Sequence, residues 1–129
     1  MESLNIIVVE DSTMTTRKIK QMLQEIGHTV IATARTGIEA IEAAKKYKAD
    51  IITMDITMPD MDGIEATKRI LSMNPETRII IITSHGQELM VYNAVEAGAK
   101  GYLLKPLERD KLKTVISEVY EKYGGRNKK

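Results

Sequence analysis

Carboxylates follow two short apolar stretches of the sequence and could carry out chemistry together. Asp55 comes directly after residues 51–54, and Glu10 and Asp11 follow a similar stretch at residues 4–9. Short apolar stretches of this kind are typical of strands buried on both faces of a sheet. Carboxylates a few Å apart cannot all be ionised without cost, and a hard divalent cation removes the conflict. The three acids therefore predict a Mg²⁺ site in which Mn²⁺ can substitute.

Two further side chains at predicted strand ends suit phosphoryl transfer. Ser84 follows the most β-branched stretch of the chain, and Lys105 follows residues 101–104. A lysine and a hydroxyl supply the positive charge and the donor that the equatorial oxygens of a transferring phosphoryl group need. Asp55 is then free to attack phosphorus and form an aspartyl phosphate. The predicted catalytic residues are Asp55, Ser84 and Lys105.

The elements that must position these side chains alternate regularly along the sequence. Strand patterns occur at residues 4–9, 29–34, 50–55, 78–83 and 101–104, and a helical pattern follows each of them. The helices after the second and third strands open on Thr36 and Asp62, each with a glutamate three residues later, which is the pattern of a capping box. This alternation predicts an α/β fold, a five-stranded parallel sheet in the order 2-1-3-4-5 with helices on both faces. All five strands then end at one edge.

Composition narrows the class of protein. The chain has 129 residues, a formal net charge of +1 and no cysteine, which fits one domain without disulfides and gives no reason to expect nucleic-acid binding. The apolar stretch at residues 79–82 is far too short to span a bilayer, and the N-terminus lacks the pattern of a signal peptide. We expect a cytoplasmic protein with a domain at residues 1–123 and a flexible basic tail at residues 124–129.

Four motifs together carry a resemblance to a known family. They are Val8-Val9-Glu10-Asp11, Asp55-Ile56-Thr57-Met58-Pro59-Asp60-Met61-Asp62-Gly63, Ile81-Ile82-Thr83-Ser84 and Gly101-Tyr102-Leu103-Leu104-Lys105-Pro106. In this order the chain resembles CheY-like receiver domains of two-component response regulators. The resemblance implies that Asp55 accepts a phosphoryl group from a histidine kinase. It also implies that the Thr57 carbonyl joins Asp11 and Asp55 in binding Mg²⁺, with Glu10 in the same acidic pocket.

The resemblance further implies a conformational switch rather than an enzyme acting on outside substrates. Ser84 and Lys105 would contact the phosphoryl oxygens, Tyr102 would change rotamer with Ser84, and Pro106 would follow a cis peptide bond. The face formed by helix four, strand five and helix five would then bind a protein partner. Stand-alone chemotaxis-type members are similar at Gly86-Gln87, Met90-Val91 and Ala97-Gly98-Ala99-Lys100, which makes the flagellar motor switch the expected target. Leu107 departs from the family, in which phenylalanine often follows the Lys-Pro pair.

Other functions remain open at this point. The protein could be a phosphorelay shuttle, or a receiver cut from a longer regulator with a DNA-binding or enzymatic output. A flavodoxin-like cofactor binder is disfavoured because no glycine-rich loop follows strand one. A phosphatase of the aspartyl-phosphate type is expected to carry a second acid two residues after the nucleophile, where Thr57 stands. Ser84 could also simply cap helix four, with Gln87 completing a capping box.

Overall fold

Strands and helices alternate along residues 2–123, which are the residues that the computed structural model of the protein describes. The predicted tail at residues 124–129 lies outside this range. The elements are β1 (Asn5–Val9), α1 (Thr13–Ile26), β2 (Thr29–Ala34), α2 (Gly37–Lys46), β3 (Ile51–Met54), α3 (Gly63–Met73), β4 (Ile79–Thr83), α4 (Glu88–Ala97), β5 (Gly101–Leu104) and α5 (Arg109–Lys122).

The strands form one parallel sheet in the order β2-β1-β3-β4-β5, which confirms the predicted fold. Val9 of β1 pairs with Met54 of β3, Met54 pairs with Ile81 of β4, and Ile81 pairs with Tyr102 of β5. Because these strands are parallel and in register, the residues that follow them emerge side by side. The sheet order therefore places Glu10 next to Asp55.

Helices cover both faces of the sheet. Side chains alternate between the two faces along each strand. Because both faces are covered, every residue of β3 and β4 is buried. One face packs against α2, α3 and α4, and the other packs against α1 and α5. Burial on both faces explains why the central strands read as nearly continuous apolar stretches. None of the helices within residues 2–123 combines the length and the apolar character needed to cross a membrane.

The predicted helix starts are present, except at α4. Thr36 accepts a hydrogen bond from the Glu39 amide at 3.0 Å, and Asp62 accepts one from the Glu65 amide at 2.8 Å. Helix α4 begins only at Glu88, with Gln87 as its N-cap, so Ser84 does not cap it.

Helix α4 buries little of its apolar surface. The apolar residues Val91, Ala94 and Val95 are close together in the sequence, but only Ala94 is buried in the helix, and Val95 is 58% exposed. Ala94 faces the sheet, whereas Val95, which is turned about 100° from it around the helix axis, faces outward. The result is a helix with an apolar outer surface.

Candidate functional site

Three carboxylates meet at the carboxyl edge of the sheet. Glu10 directly follows β1 and Asp55 directly follows β3, and the Asp55 amide donates a hydrogen bond to the Val9 carbonyl at 3.0 Å. One oxygen from each of Glu10, Asp11 and Asp55 lies within 4.8 Å of the other two. Glu10 and Asp55 are almost fully buried, whereas Asp11 is more exposed. The structure thus brings together the three acids predicted from the sequence.

Lys105 reaches this acidic cluster from β5. Its Nζ lies 2.8 Å from Glu10 Oε1 and 3.5 Å from Asp55 Oδ1. The Lys105 amide donates to the Thr83 carbonyl at 2.8 Å, which positions the lysine beside the end of β4. The peptide bond between Lys105 and Pro106 is cis. One ammonium group thereby contacts two carboxylates, and the cluster keeps an excess of negative charge.

Burial and the neighbouring charges both act on the Asp55 carboxyl group. Burial raises the pKa of its carboxyl group, and repulsion from Glu10 raises it further, while attraction to Lys105 acts in the opposite direction. A nearby cation stabilises the ionised form of a buried acid that lies beside another acid. Carboxylate oxygens are ligands that suit Mg²⁺. The donor set and its spacing therefore fit a magnesium ion, with Glu10, Asp11 and Asp55 as the side chains that could hold it. The metal-ligand role of the Thr57 carbonyl stays a prediction.

Comparison with known proteins agrees with this geometry. Residues 6–117 match the family described as the response regulator receiver domain. The chain belongs to the receiver-domain family. Its receiver is 40% identical over 113 residues to the chemotaxis protein CheY of Bacillus subtilis, covering 88% of this chain and 94% of that protein.

Solved structures of receivers have the same fold. A chain of the CheX-CheY-BeF3-Mg²⁺ complex from Borrelia burgdorferi matches with a TM-score of 0.87 and 36% identity, over 90% of this chain and 88% of that chain. The receiver domain of the sensor histidine kinase PA1611 from Pseudomonas aeruginosa has a magnesium ion coordinated in its active site cleft. It matches with a TM-score of 0.84 and 29% identity, over 93% of this chain and 99% of that chain.

The receiver has a second candidate hydroxyl that the sequence reasoning passed over. Strand β4 ends on Thr83, which is 1% exposed, while Ser84 lies beyond the strand and is exposed. Alternation along β4 places Thr83 on the same face as Ile81, which pairs with Tyr102. Thr83 was assigned to the strand as an ordinary β-branched residue. A buried hydroxyl at the carboxyl end of a central strand was the signal that could have identified it.

Tyr102 is connected to the loop that follows β4. Its ring packs against the core under α2, α3 and α4, and its hydroxyl donates a hydrogen bond to the His85 carbonyl. Burial raises the pKa of this hydroxyl. The side chain of His85 lies on the other side, with Nε2 3.1 Å from Thr57 Oγ1. Residue 85 thus joins the loop after β3 to the predicted switch residue.

Proposed function

We propose that this receiver is a phosphorylation-activated response regulator in which Asp55 accepts a phosphoryl group from the phosphohistidine of a histidine kinase. The observation that carries the proposal is the grouping of Glu10, Asp11 and Asp55 within 4.8 Å, with Lys105 Nζ 3.5 Å from Asp55. A buried acid whose pKa is shifted by burial and by specific charged partners is a candidate for a functional site. Phosphoryl transfer depends on metal ions and cationic side chains near the phosphoryl oxygens, which this arrangement can supply.

The residues divide the transfer between them. An Asp55 oxygen attacks phosphorus, the bond between phosphorus and the imidazole nitrogen breaks, and the imidazole leaves with the bonding electron pair. A bound Mg²⁺ would supply positive charge to the phosphoryl oxygens, with Mn²⁺ as a substitute. Lys105 supplies a second positive charge. Because its Nζ lies close to both Glu10 and Asp55, it can contact the phosphoryl group once that group is attached to Asp55. A hydroxyl from Thr83 or Ser84 would donate to an equatorial oxygen.

The output of the switch is a protein contact. Helix α4 and strand β5 expose four large apolar side chains: Leu89 (69%), Tyr92 (60%), Val95 (58%) and Leu104 (51%). Three of these side chains recur every third residue along α4, and exposed apolar side chains grouped in this way favour an interaction surface. We define it as the output patch. Phosphorylation would change the loop at residues 84–87, to which Tyr102 is hydrogen-bonded, and so raise the population of the conformation that binds the partner.

The physiological role that we favour is chemotaxis, with the flagellar motor switch as the target and the cytoplasm as the location. The support is the 40% identity to the chemotaxis protein CheY over most of both chains. The protein would act as a phosphoacceptor that catalyses its own phosphorylation and slow dephosphorylation, not as an enzyme with outside substrates. A phosphorylation-dependent pull-down separates the targets: a motor component supports chemotaxis, and a histidine phosphotransfer protein supports the phosphorelay role.

The phosphoacceptor role has a direct test. The protein is incubated with acetyl phosphate, with and without Mg²⁺, and its intact mass is measured over time. We expect one phosphoryl adduct that needs Mg²⁺ and is absent from Asp55→Asn. Asp50→Asn is the control, because Asp50 lies at the opposite edge of the sheet, where it bonds the Asn5 amide. A Mg²⁺-independent adduct, or one that Asp55→Asn retains, would contradict the proposal.

A further inference from the structure

Asp60 makes contacts that the phosphoacceptor chemistry does not explain. It lies in the loop between β3 and α3, and its side chain reaches the start of α2. Its Oδ1 accepts hydrogen bonds from the Gly37 amide at 2.8 Å and from the Met61 amide at 2.9 Å, and its Oδ2 accepts one from the Ile38 amide at 2.9 Å. The hydrogen bonds from the Gly37 and Ile38 amides also lower the pKa of Asp60. One carboxylate thereby joins two separate elements.

Packing strengthens the same connection. A Cβ atom on Gly37 would lie 2.2 Å from Cγ of Met61, so the thioether side chain rests directly on the glycine backbone. At the base of the loop, the Gly63 amide donates to the Ile56 carbonyl at 2.8 Å. The loop is therefore closed at its base and attached at its tip to the first turn of α2.

The turn that receives Asp60 also contacts the other loop of the acidic cluster. Arg35, just before the N-cap of α2, donates from its guanidinium group to the Asp11 carbonyl at 3.2 Å. Its own amide donates to Glu39 Oε1 at 2.8 Å, which holds the turn against α2. Residues 35–38 contribute nothing to the acidic cluster itself, yet they contact both segments that border it.

We propose that Asp60 is a positioning residue for the magnesium site: by attaching the loop at residues 56–62 to α2, it holds the Thr57 carbonyl within reach of the cation. This inference rests on the proposed function. The loop has no β-strand or helix of its own, so without this attachment its tip can adopt many conformations. If the loop is already ordered, metal binding does not have to restrict its conformations, and the affinity for the metal is higher. Asp60 would affect metal affinity without contacting the metal.

A role in capping α2 is the alternative that the test must separate. Helix α2 has a cap of its own, because Thr36 Oγ1 accepts the Glu39 amide at 3.0 Å. Thr36→Ala removes this cap and weakens the start of α2 without removing any bond to Asp60. It is therefore the matched control for Asp60→Ala, which removes the two hydrogen bonds from the α2 amides of Gly37 and Ile38 and the one from the Met61 amide. Asp60→Asn retains an acceptor for the Gly37 and Met61 amides but places an amide group opposite the Ile38 amide.

The experiment measures Mg²⁺ affinity by calorimetry in the wild type and the three variants, together with hydrogen exchange of the amides at residues 57–62 and thermal unfolding. We expect Asp60→Ala to raise the Kd for Mg²⁺ about tenfold, the lower end of what the loss of an outer partner costs at a metal site. Its loop amides should exchange faster, and Asp60→Asn should lie between Asp60→Ala and the wild type. Thr36→Ala should lower the melting temperature but keep the wild-type Kd.

The outcomes distinguish this inference from the proposed function. If the wild type binds Mg²⁺ and Asp60→Ala binds it equally well, the positioning role is wrong while the proposed function stands. If Thr36→Ala raises the Kd for Mg²⁺ as much as Asp60→Ala does, the loss of affinity comes from a weakened α2, and the positioning role of Asp60 is wrong. A wild type that does not bind Mg²⁺ would overturn the proposed function, and this role with it.

Discussion

At the scale of single residues, the acidic cluster lowers the free energy of unfolding of the metal-free protein. Asp55 is buried beside Glu10, and both features raise the pKa of Asp55 above its ordinary value. A carboxyl group whose pKa is raised by folding is easier to ionise in the unfolded chain. It therefore lowers the free energy of unfolding once the pH exceeds its ordinary pKa, and the loss is complete above the raised pKa. The metal-free protein carries this cost at neutral pH.

We accordingly expect Asp55→Asn to stabilise the metal-free protein at neutral pH. The melting temperature should rise by a few degrees, the shift that a change of about 1 kcal/mol produces in a domain of this size. Thermal unfolding in a chelator measures the effect, and the difference from wild type should shrink as the pH falls toward the ordinary pKa of aspartate. Added Mg²⁺ should stabilise the wild type more than Asp55→Asn. A variant less stable than the wild type in chelator at neutral pH would contradict this account.

The two neighbouring hydroxyls can be separated by substitution. Thr83 is buried at the end of β4 and faces the side on which Tyr102 lies, whereas Ser84 is exposed. If Thr83 donates to the phosphoryl group, Thr83→Val should slow phosphorylation by acetyl phosphate roughly tenfold to a hundredfold, the effect of one hydrogen bond to a charged group. Ser84→Ala should have little effect. The opposite ranking would favour Ser84, and Thr83→Ser should restore the rate if the hydroxyl is what matters.

At the scale of elements, strand β3 contains a polar atom that the surrounding core leaves unsatisfied. Thr53 is 1% exposed, and its Oγ1 has no hydrogen-bond partner among the described residues. The strand lies in the middle of the sheet with helices on both sides, so water is excluded from this position. A buried hydroxyl without a partner costs free energy that an apolar group of similar shape does not.

We therefore expect Thr53→Val to increase the free energy of unfolding by about 1 kcal/mol, measured by urea denaturation. The matched control is Thr67→Val in α3. Thr67 is equally buried, but its Oγ1 donates to the Gly63 carbonyl at 2.8 Å, so removing that hydroxyl should not stabilise the protein. Equal effects of the two substitutions would show that the missing hydrogen bond at Thr53 is not the cause.

At the scale of the whole molecule, His28 links the stability of the sheet to pH. Its Nδ1 accepts a hydrogen bond from the Leu4 amide at 3.1 Å, which joins the start of β1 to the connection between α1 and β2. Burial lowers the pKa of His28, although Asp50 acts in the opposite direction. The unfolded chain therefore takes up the proton at a higher pH than the folded chain does. The free energy of unfolding contributed by this residue is present above the ordinary pKa of histidine and is lost as the pH falls below it.

This linkage predicts that the wild type loses stability between about pH 7.5 and pH 5.5, by at most about 1.4 kcal/mol per pH unit from this one proton. His28→Asn retains an acceptor for the Leu4 amide but cannot titrate. Urea denaturation at both pH values should therefore show a smaller loss in the variant, whatever its stability at the higher pH. An equal loss in both proteins would assign the pH dependence to other groups.

Local chemistry explains why much of this structure was predictable. The strand at residues 29–34, the strand at residues 101–104 and the helix starts at Thr36 and Asp62 depend on patterns and caps that act within a few residues. The sheet order was predicted as the doubly wound arrangement that is common for five strands alternating with helices. The start of α4 and the role of Ser84 could not be predicted in the same way. They depend on where β4 ends relative to the adjacent strands of the sheet, which is not a local property of the sequence.

For the acidic cluster, the sequence alone determined that Glu10, Asp11, Asp55 and Lys105 would share one edge, because every strand of a parallel sheet ends on the same side. Only the tertiary structure decided which hydroxyl is buried at the end of β4 and which apolar side chains of α4 remain exposed. It also revealed the attachment of Asp60 to α2. The physical reason is that burial and contacts between loops depend on which residues lie close together in the folded protein. Many of those residues are far apart in the sequence, so a local pattern cannot reveal them.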